Sequence, residues 1–326
     1  MKKPIVYLTR KLPEEAMELL QAECNLEVNP YDRALSRGEL EEAIQGIDGL
    51  LCLLTDTIDE ELLSLNPDLK VVANYAVGYD NIDIEACTGR GIPVSNTPGV
   101  LTETTADLAF ALLMATARRI VEADSFTKAG AYEGWGPMMF LGGDIYGKSL
   151  GIIGLGRIGQ AVARRAVRGF DMEVFYYDRN RNEEMEKEYG LKYLDFEDIV
   201  KTADFISVHV PLTKETEKLF GEKEFKMMKK SSYLINTARG AVIDEKALLQ
   251  ALRDGEIAGA GLDVFEDEPK LTPGLWKQEN IVMLPHIGSA SIETRTKMAT
   301  MAAENLIAGL KGEKMPNLIN PDFADA

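Results

Sequence analysis

The chain has 326 residues, of which 45% are hydrophobic and 27% charged, and its formal net charge is −17. This length suggests about two domains, and the composition is typical of a globular protein. Because so acidic a protein repels polyanions, nucleic acids and anionic membrane surfaces are not expected partners. Anion binding would instead require local positive groups.

The cysteines Cys24, Cys52 and Cys87 lie far apart and form no CxxC pair. We therefore predict no disulfide framework, and a reducing compartment is favoured. The apolar run near the N-terminus covers only residues 5–8, which is too short for a signal-peptide core, and no stretch reaches membrane-spanning length. These features predict a cytoplasmic protein without a membrane segment.

The first part of the chain alternates short apolar runs with helical patterns, which is typical of parallel α/β architecture. The predicted helices include residues 13–24 and 37–45. The predicted strands are residues 5–9, 26–28, 49–54, 70–75 and 93–96.

A long helical pattern follows at residues 102–130, and its segment 106–117 is apolar on nearly every face. A helix that is apolar all round must be buried on all sides. It could be a central helix between domains or a helix shared with a second subunit. The second interpretation is favoured, because Trp135 and Met138 follow in a glycine-rich loop with little else to cover them. We therefore predict a homodimer with residues 102–130 as the dimerisation helix.

A second alternating series begins at Ser149 and ends in an amphipathic helix over residues 291–310, which is expected to return to the first domain. Its strands are predicted at residues 150–154, 173–178, 205–210, 233–236, 259–264 and 281–284, with a helix at 157–168. The fold class is therefore α/β with two doubly wound parallel-sheet domains. A Rossmann dinucleotide-binding domain, residues 100–287, is predicted to be inserted into a flavodoxin-like substrate-binding domain, residues 1–99 and 288–326.

A GxGxxG pattern follows the strand at 150–154 and opens the helix after it. Gly154 permits the tight turn, Gly156 lets the backbone approach a pyrophosphate, and Gly159 allows close packing of helix and strand. The helix N-terminus would then supply the positive potential that the net charge lacks.

Asp178 lies 19 positions after Gly159 and ends the strand-like run EVFYYD. Its carboxylate is placed to accept hydrogen bonds from the adenosine ribose and would repel the 2′-phosphate of NADP. NAD is therefore the predicted cofactor. NADP is possible but less favoured, because Arg179 and Arg181 follow directly and could soften the preference.

Three polar residues follow strand-like runs in the second domain, where open α/β sheets place their ligands. They are Arg239, Glu268 and His286, and the chain has only one other histidine, His209. A single histidine is more often structural than catalytic, and Glu268 before a proline could be an exposed turn residue. Together, however, an acid, a base and a guanidinium beside a nicotinamide site could transfer a proton and a hydride. His209 is expected to have a structural or adenosine-side role.

Several blocks, in this order, resemble the motifs of the D-isomer-specific 2-hydroxyacid dehydrogenases: residues 154–159, 236–240, 261–269 and 285–289. Within that family, residues 74–83 and 96–102 are similar to those of glyoxylate and hydroxypyruvate reductases. By this resemblance Arg239, Glu268 and His286 are the catalytic residues. An imidazole, with an ordinary pKa of about 6.5, can donate a proton near neutrality, and Arg239 offers a planar fork for a carboxylate.

The resemblance also implies further contacts. The backbone N–H groups of Val77 and Gly78 would bind the substrate carboxylate, and Leu53 and Trp135 would line the substrate pocket, with Trp135 reaching in from the partner subunit. No metal site is predicted. The implied cofactor-binding residues are Thr105, Gly154, Gly156, Arg157, Ile158, Gly159, Asp178, Arg179, Asn180, Pro211, Thr237, Ala238, Asp263 and Gly288.

The predicted function is NAD(P)H-dependent reduction of a small 2-oxoacid, such as glyoxylate to glycolate or hydroxypyruvate to D-glycerate, with His286 as the proton donor. Two alternatives remain open at the level of sequence. One is another D-2-hydroxyacid dehydrogenase of the D-lactate or D-glycerate type. The other is an NAD-sensing scaffold like the transcriptional corepressors that resemble this family.

Overall fold

The computed structural model describes residues 2–325. Backbone contacts divide the chain into two compact units. Unit 1 comprises the chain up to Leu101 together with the segment from Ser289 onward, and unit 2 comprises Thr102–Gly288. The sequence placed these boundaries at 99/100 and 287/288.

The strands of the described chain are β1 (Ile5–Leu8), β2 (Asn25–Val28), β3 (Gly49–Cys52), β4 (Val71–Asn74), β5 (Val94–Ser95), β6 (Ser149–Ile153), β7 (Glu173–Tyr177), β8 (Lys192–Tyr193), β9 (Phe205–Val208), β10 (Tyr233–Asn236), β11 (Gly259–Leu262) and β12 (Ile281–Met283). The α-helices are α1 (Glu14–Glu23), α2 (Arg37–Ala43), α3 (Glu60–Ser64), α4 (Ile84–Gly89), α5 (Thr102–Ala117), α6 (Ile120–Lys128), α7 (Arg157–Phe170), α8 (Glu183–Tyr189), α9 (Phe196–Thr202), α10 (Glu222–Met227), α11 (Glu245–Asp254) and α12 (Ile292–Leu310).

Unit 1 is a five-stranded parallel sheet with the order β2-β1-β3-β4-β5. This is the flavodoxin-like order, in which the direction of winding reverses between β1 and β3. All residues of β3 and β4 are buried, because helices cover both faces of such a sheet and exclude water from both. The final helix α12 packs against α1, β3 and β4 and so returns to this unit, as the sequence predicts.

Unit 2 is a seven-stranded parallel sheet with the order β12-β11-β10-β9-β6-β7-β8. Winding reverses between β6 and β9, as in a Rossmann fold. The predicted fold class of two doubly wound parallel-sheet domains is therefore confirmed. The three cysteines are buried and form no disulfide, and none of the helices between residues 2 and 325 is long and apolar enough to cross a bilayer.

The prediction of a single helix over residues 102–130 is wrong. Helix α5 ends at Ala117, and Arg119 adopts a left-handed conformation with φ of 53° before α6 begins. The carbonyl of Ala117 accepts a hydrogen bond from the N–H of Gly143 at 2.9 Å, so the following loop stabilises the helix end. The guanidinium of Arg119 lies 5.2 Å from the centre of the Phe140 ring and thus ties this break to the same loop.

The segment 106–117 is also not buried on every side. Its packing against α7, β10 and β11 covers most of the helix, but Ala111 is exposed and Leu108 and Ala115 are only half-buried. These three residues share one face of the helix, because residues three or four positions apart lie above one another.

The packing of α5 on the sheet depends on a glycine in β11. A Cβ at Gly261 in β11 would lie 2.7 Å from Cγ of Leu112 and 2.8 Å from Oγ1 of Thr116. We therefore expect Gly261→Ala to lower the free energy of unfolding by about 1–3 kcal/mol through overpacking. Gly169→Ala in α7 is the matched control, since its Cβ would meet nothing within 4 Å, and we expect it to stabilise by about 0.5–1 kcal/mol. Thermal unfolding of both variants tests this, and equal melting temperatures would contradict it.

Candidate active site

His286 and Glu268 form a hydrogen-bonded pair beyond the carboxyl ends of β12 and β11. Nδ1 of His286 lies 2.9 Å from Oε2 of Glu268, and about a quarter of the imidazole surface remains exposed (27%). Because a carboxylate can only accept, Nδ1 carries the hydrogen and Nε2 is left for another partner. His286 has a φ of 56°, a strained backbone conformation of the kind that clusters at functional sites.

Glu268 is fixed by its own loop. Its Oε1 accepts a hydrogen bond from the N–H of Phe265 at 2.9 Å, while Oε2 faces His286. Partial burial by itself would raise the pKa of Glu268, but the hydrogen bond and charge of His286, the Phe265 N–H and the charge of Arg239 together lower it. Glu268 is therefore ionised at neutral pH, which suits it to orienting an imidazole.

Arg239 follows β10 on a turn that is shaped by Asn236. The buried side chain of Asn236 accepts from the N–H of Ala238 at 3.0 Å and donates to the carbonyl of Arg239 at 2.9 Å. Gly240 follows, and a Cβ there would lie 1.8 Å from the carbonyl carbon of Phe265. Only glycine allows the backbone after Arg239 to touch the backbone of the Glu268 loop.

The GxGxxG turn has the geometry predicted for phosphate binding. Gly154 has a φ of 97°, and Gly156 precedes the first residue of α7. A Cβ at Gly159 would lie 2.1 Å from the carbonyl oxygen of Gly154, whereas one at Gly156 would meet nothing within 4 Å. The open side at Gly156 and the free N–H groups of the helix N-terminus together make a cradle for an anion.

Asp178 follows β7 and lies beside this turn. Its Oδ2 accepts from the N–H of Leu155 at 2.7 Å and its Oδ1 accepts from the N–H of Asn180 at 3.2 Å. The carboxylate is therefore held by the backbone of the turn, and each oxygen keeps a further lone pair that could bind a ribose hydroxyl.

A second set of cofactor candidates converges around Asp263. Its Oδ1 accepts from the N–H of Ile287 at 2.8 Å, and burial raises its pKa although that bond acts in the opposite direction. A Cβ at Gly288 would lie 3.2 Å from Oδ2 of Asp263 and 3.4 Å from Cγ2 of Thr105. Oδ2 of Asp263 and Oγ1 of Thr237 are buried and have no hydrogen-bond partner within residues 2–325. Such orphaned polar atoms fit a site completed by a polar ligand, and together with the cradle they match a dinucleotide.

The other cofactor candidates lie around the same turns. Arg157 and Ile158 open α7, Arg179 and Asn180 are exposed after β7, and Pro211 is exposed two residues after His209. Ala238 lies between Thr237 and Arg239 on the turn after β10 and is half-buried. Within residues 2–325, no cluster of three or more histidine, cysteine, aspartate or glutamate side chains could hold a metal ion.

His209 belongs to the support of the GxGxxG turn. Its Nε2 lies 2.8 Å from Oγ of Ser207, and its carbonyl carbon would be 2.7 Å from a Cβ at Gly154. His209 keeps some surface exposure, but burial of the ring lowers its pKa to about 4. A ring that stays neutral near pH 7 and packs under the turn fits the structural role.

The substrate candidates are divided between the units. Leu53, Val77 and Gly78 lie in unit 1, on the loops after β3 and β4. Trp135 lies in unit 2 on the loop after α6, and 83% of its surface is exposed.

Glu245, which is not among the residues predicted from sequence, supports the loop that carries Glu268. It is the first residue of α11 and is 2% exposed. Its carboxylate accepts hydrogen bonds from the N–H groups of Glu266 at 2.7 Å and Thr272 at 3.4 Å, which bracket Glu268. The only signal in the sequence was an acidic residue on the apolar side of an amphipathic helix.

Comparison with known proteins shows to which family the chain belongs. Residues 110–288 match the family model for the NAD binding domain of D-isomer specific 2-hydroxyacid dehydrogenases. The chain belongs to this family. It is 55% identical to a glyoxylate reductase of Thermococcus litoralis over 98% of both chains. Two solved structures are also similar. One is a glyoxylate reductase of Paecilomyes thermophila, with 34% identity, a TM-score of 0.86 and coverage of 98% of this chain and 99% of that chain. The other is an NADPH-dependent glyoxylate/hydroxypyruvate reductase of Sinorhizobium meliloti in complex with NADP and malonate, with 31% identity, a TM-score of 0.85 and coverage of 99% of this chain and 98% of that chain.

This 2-hydroxyacid dehydrogenase is accordingly an NAD-dependent oxidoreductase. The predicted family, enzyme class and cofactor are confirmed. The site residues of this 2-hydroxyacid dehydrogenase remain predictions.

The lowered pKa of His209 predicts a pH dependence of stability. Because the folded ring has a pKa of about 4 and an unfolded histidine one of about 6.5, the unfolded chain binds more protons between these values. Stability therefore falls as the pH falls through this window. The melting temperature of His209→Gln, which can keep a hydrogen bond to Ser207, is expected to fall less than that of the wild type between about pH 7 and about pH 4.5. If the melting temperatures of the two proteins fall by the same amount over this pH range, His209 is not the group responsible.

Proposed function

We propose that this protein reduces a small 2-oxoacid, glyoxylate or hydroxypyruvate, to the corresponding D-2-hydroxyacid. The observation that carries the proposal is the His286–Glu268 hydrogen bond of 2.9 Å, which leaves Nε2 as a proton donor. The pair lies at the carboxyl edge of the same sheet as the GxGxxG turn, where doubly wound sheets bind their ligands. The names of the similar proteins, several of which are glyoxylate reductases, support the same substrate class.

The reaction needs a hydride at the carbonyl carbon and a proton at the carbonyl oxygen. Reduced NAD, when bound, supplies the hydride. His286 gives the proton from Nε2 to the oxygen that becomes the hydroxyl, and the ring is left neutral with its hydrogen on Nδ1. Glu268 accepts the hydrogen bond from Nδ1 throughout, so it fixes the orientation of the ring.

Two sets of hydrogen-bond donors would hold the substrate. We assign the guanidinium of Arg239 to the substrate carboxylate and to polarisation of the carbonyl, because its planar fork matches a carboxylate. The N–H groups of Val77 and Gly78 are assigned to the same carboxylate. Leu53 and Trp135 would form apolar walls that favour a short side group.

For the cofactor, we propose that NADH is preferred over NADPH. The support is the carboxylate of Asp178, which is held against the turn by the N–H of Leu155 and would lie near a 2′-phosphate. We also propose a cytoplasmic location, which the three reduced, buried cysteines fit.

We further propose that the active form is a homodimer. The support is an apolar surface of unit 2 around α6 and the loop after it. Ile120 and Val121 are each 49% exposed, Met138 is 76% exposed and Trp135 is 83% exposed, which is unusual for a surface that stays in water. The half-buried face of α5 adds to it, and Trp135 of one protomer would then reach the substrate site of its partner.

Steady-state oxidation of NADH and NADPH with glyoxylate, hydroxypyruvate, pyruvate and larger 2-oxoacids tests the function. We expect selectivity for glyoxylate and hydroxypyruvate with NADH. A preference for pyruvate would instead indicate a D-lactate type enzyme. Absence of turnover despite tight NADH binding would indicate an NAD-sensing scaffold.

Loss of the proton donor should affect chemistry and not cofactor binding. We expect His286→Ala to lower kcat by at least about a hundredfold, with the dissociation constant for NADH unchanged by fluorescence titration. His209→Gln is the matched control, since it removes the other histidine of the chain, and it should keep most of kcat. Full activity of His286→Ala would remove His286 from the reaction.

The dimer proposal predicts that charge in the apolar surface abolishes activity together with assembly. The double variant Ile120→Glu, Val121→Glu should elute at the 36.0 kDa mass of one chain and lose turnover, because Trp135 of the partner subunit is withdrawn. Tyr31→Glu, at an exposed position of unit 1 (56%), should stay dimeric and active. A monomeric double variant with undiminished kcat/KM would overturn the assignment of Trp135.

A further inference from the structure

The loop after β4 is held at three successive carbonyl groups. The carbonyl of Ala76 accepts from the N–H of Thr97 at 2.8 Å, and that of Val77 accepts from Nδ2 of Asn96 at 2.7 Å. The carbonyl of Gly78 accepts from Nδ2 of Asn74 at 3.0 Å. Three consecutive peptide groups are therefore each fixed from outside the loop.

Fixing a carbonyl also fixes the N–H that shares its peptide plane. A trans peptide is planar, so its N–H points away from its C=O. The bonds to the carbonyls of Ala76 and Val77 thus set the directions of the N–H groups of Val77 and Gly78. Neither of these two N–H groups donates to a backbone carbonyl anywhere in residues 2–325. They form a rigid pair of donors with capacity for a ligand.

The holding side chains are themselves fixed. Nδ2 of Asn74, a fully buried residue, also donates to Oδ1 of Asn81 at 3.1 Å. Asn81 in turn donates to the carbonyls of Leu53 at 3.1 Å and Asp56 at 2.9 Å, and the buried Asp56 carboxylate accepts from the N–H of Leu53 at 2.8 Å. The loops after β3 and β4 are therefore joined by one hydrogen-bond network.

We propose that Asn96 is a positioning residue that preorganises the N–H of Gly78, beside that of Val77, as a carboxylate receptor, while Asn74 anchors the end of the same loop through the Gly78 carbonyl. This inference rests on the proposed function, in which those N–H groups bind the 2-oxoacid carboxylate. N–H donors that already point toward the carboxylate site do not have to reorient when the anion binds. Asn96 therefore sets the affinity for the carboxylate end of the substrate and has no part in proton or hydride transfer.

The test is Asn96→Ala, because Asn96 is only half-buried whereas Asn74 is in the core. We expect KM for glyoxylate to rise about tenfold, the loss of about one hydrogen bond to a charged group. The inhibition constant of oxamate, an unreactive analogue with the same carboxylate, should rise in parallel. The dissociation constant for NADH and the melting temperature should be close to those of the wild type.

Asn66→Ala is the matched control. Asn66 also donates Nδ2 to two backbone carbonyls of unit 1, those of Ile44 and Ile47, both at 2.8 Å, but these belong to the segment after α2. It should leave the KM for glyoxylate unchanged even if it lowers stability. An equal rise of KM in both variants would mean that general loosening of unit 1 is the cause, and the inference would be overturned.

The two proposals fail in different ways. If the wild type reduces no 2-oxoacid, the proposed function fails and this inference falls with it. If the wild type reduces glyoxylate but Asn96→Ala keeps the wild-type KM, or loses kcat with KM unchanged, the inference is overturned while the proposed function stands.

Discussion

The proposed chemistry of this protein depends on one hydrogen bond, between Nδ1 of His286 and the carboxylate of Glu268. It decides which ring nitrogen faces a substrate, because the hydrogen on Nδ1 is already engaged. The two residues come from loops after neighbouring strands, β12 and β11, so the parallel sheet brings them to one edge. The carboxylate is in turn fixed by the Phe265 N–H, so the bond does not rely on side-chain rotamers alone.

The support for this bond comes mostly from backbone groups. Glu245 holds both ends of the loop around Glu268 through the N–H groups of Glu266 and Thr272, and Asp263 holds the backbone next to His286 through Ile287. Buried carboxylates can gain hydrogen bonds from main-chain N–H groups without a counter-charge. The acidic chain thus uses acidic side chains to organise its own loops.

Much of the fold could be predicted from sequence, because buried parallel strands are continuous apolar runs and glycine-rich turns have few alternatives. The strand at Tyr233–Asn236 has the predicted bounds. The short helices α3 and α4 were missed, since five or six residues are too few to show a helical period, although Asp59 and Asp83 cap them. The break at Arg119 was missed because it is stabilised by the distant Gly143. Motifs identified Arg239, Glu268 and His286, but Glu245 and Asn96 act through backbone contacts that only the structure reveals.

The contact between Gly240 and Phe265 has a consequence for how the site could diverge. The main chain following Arg239 and the main chain preceding Glu268 meet with no side chain between them, so a side chain at position 240 would displace both loops. The separation of the two backbone segments that carry Arg239 and Glu268 is therefore set by main-chain packing. A substitution that adds a side chain at position 240 would push the two backbone segments apart. The sequence of this half of the site therefore tolerates few stepwise changes.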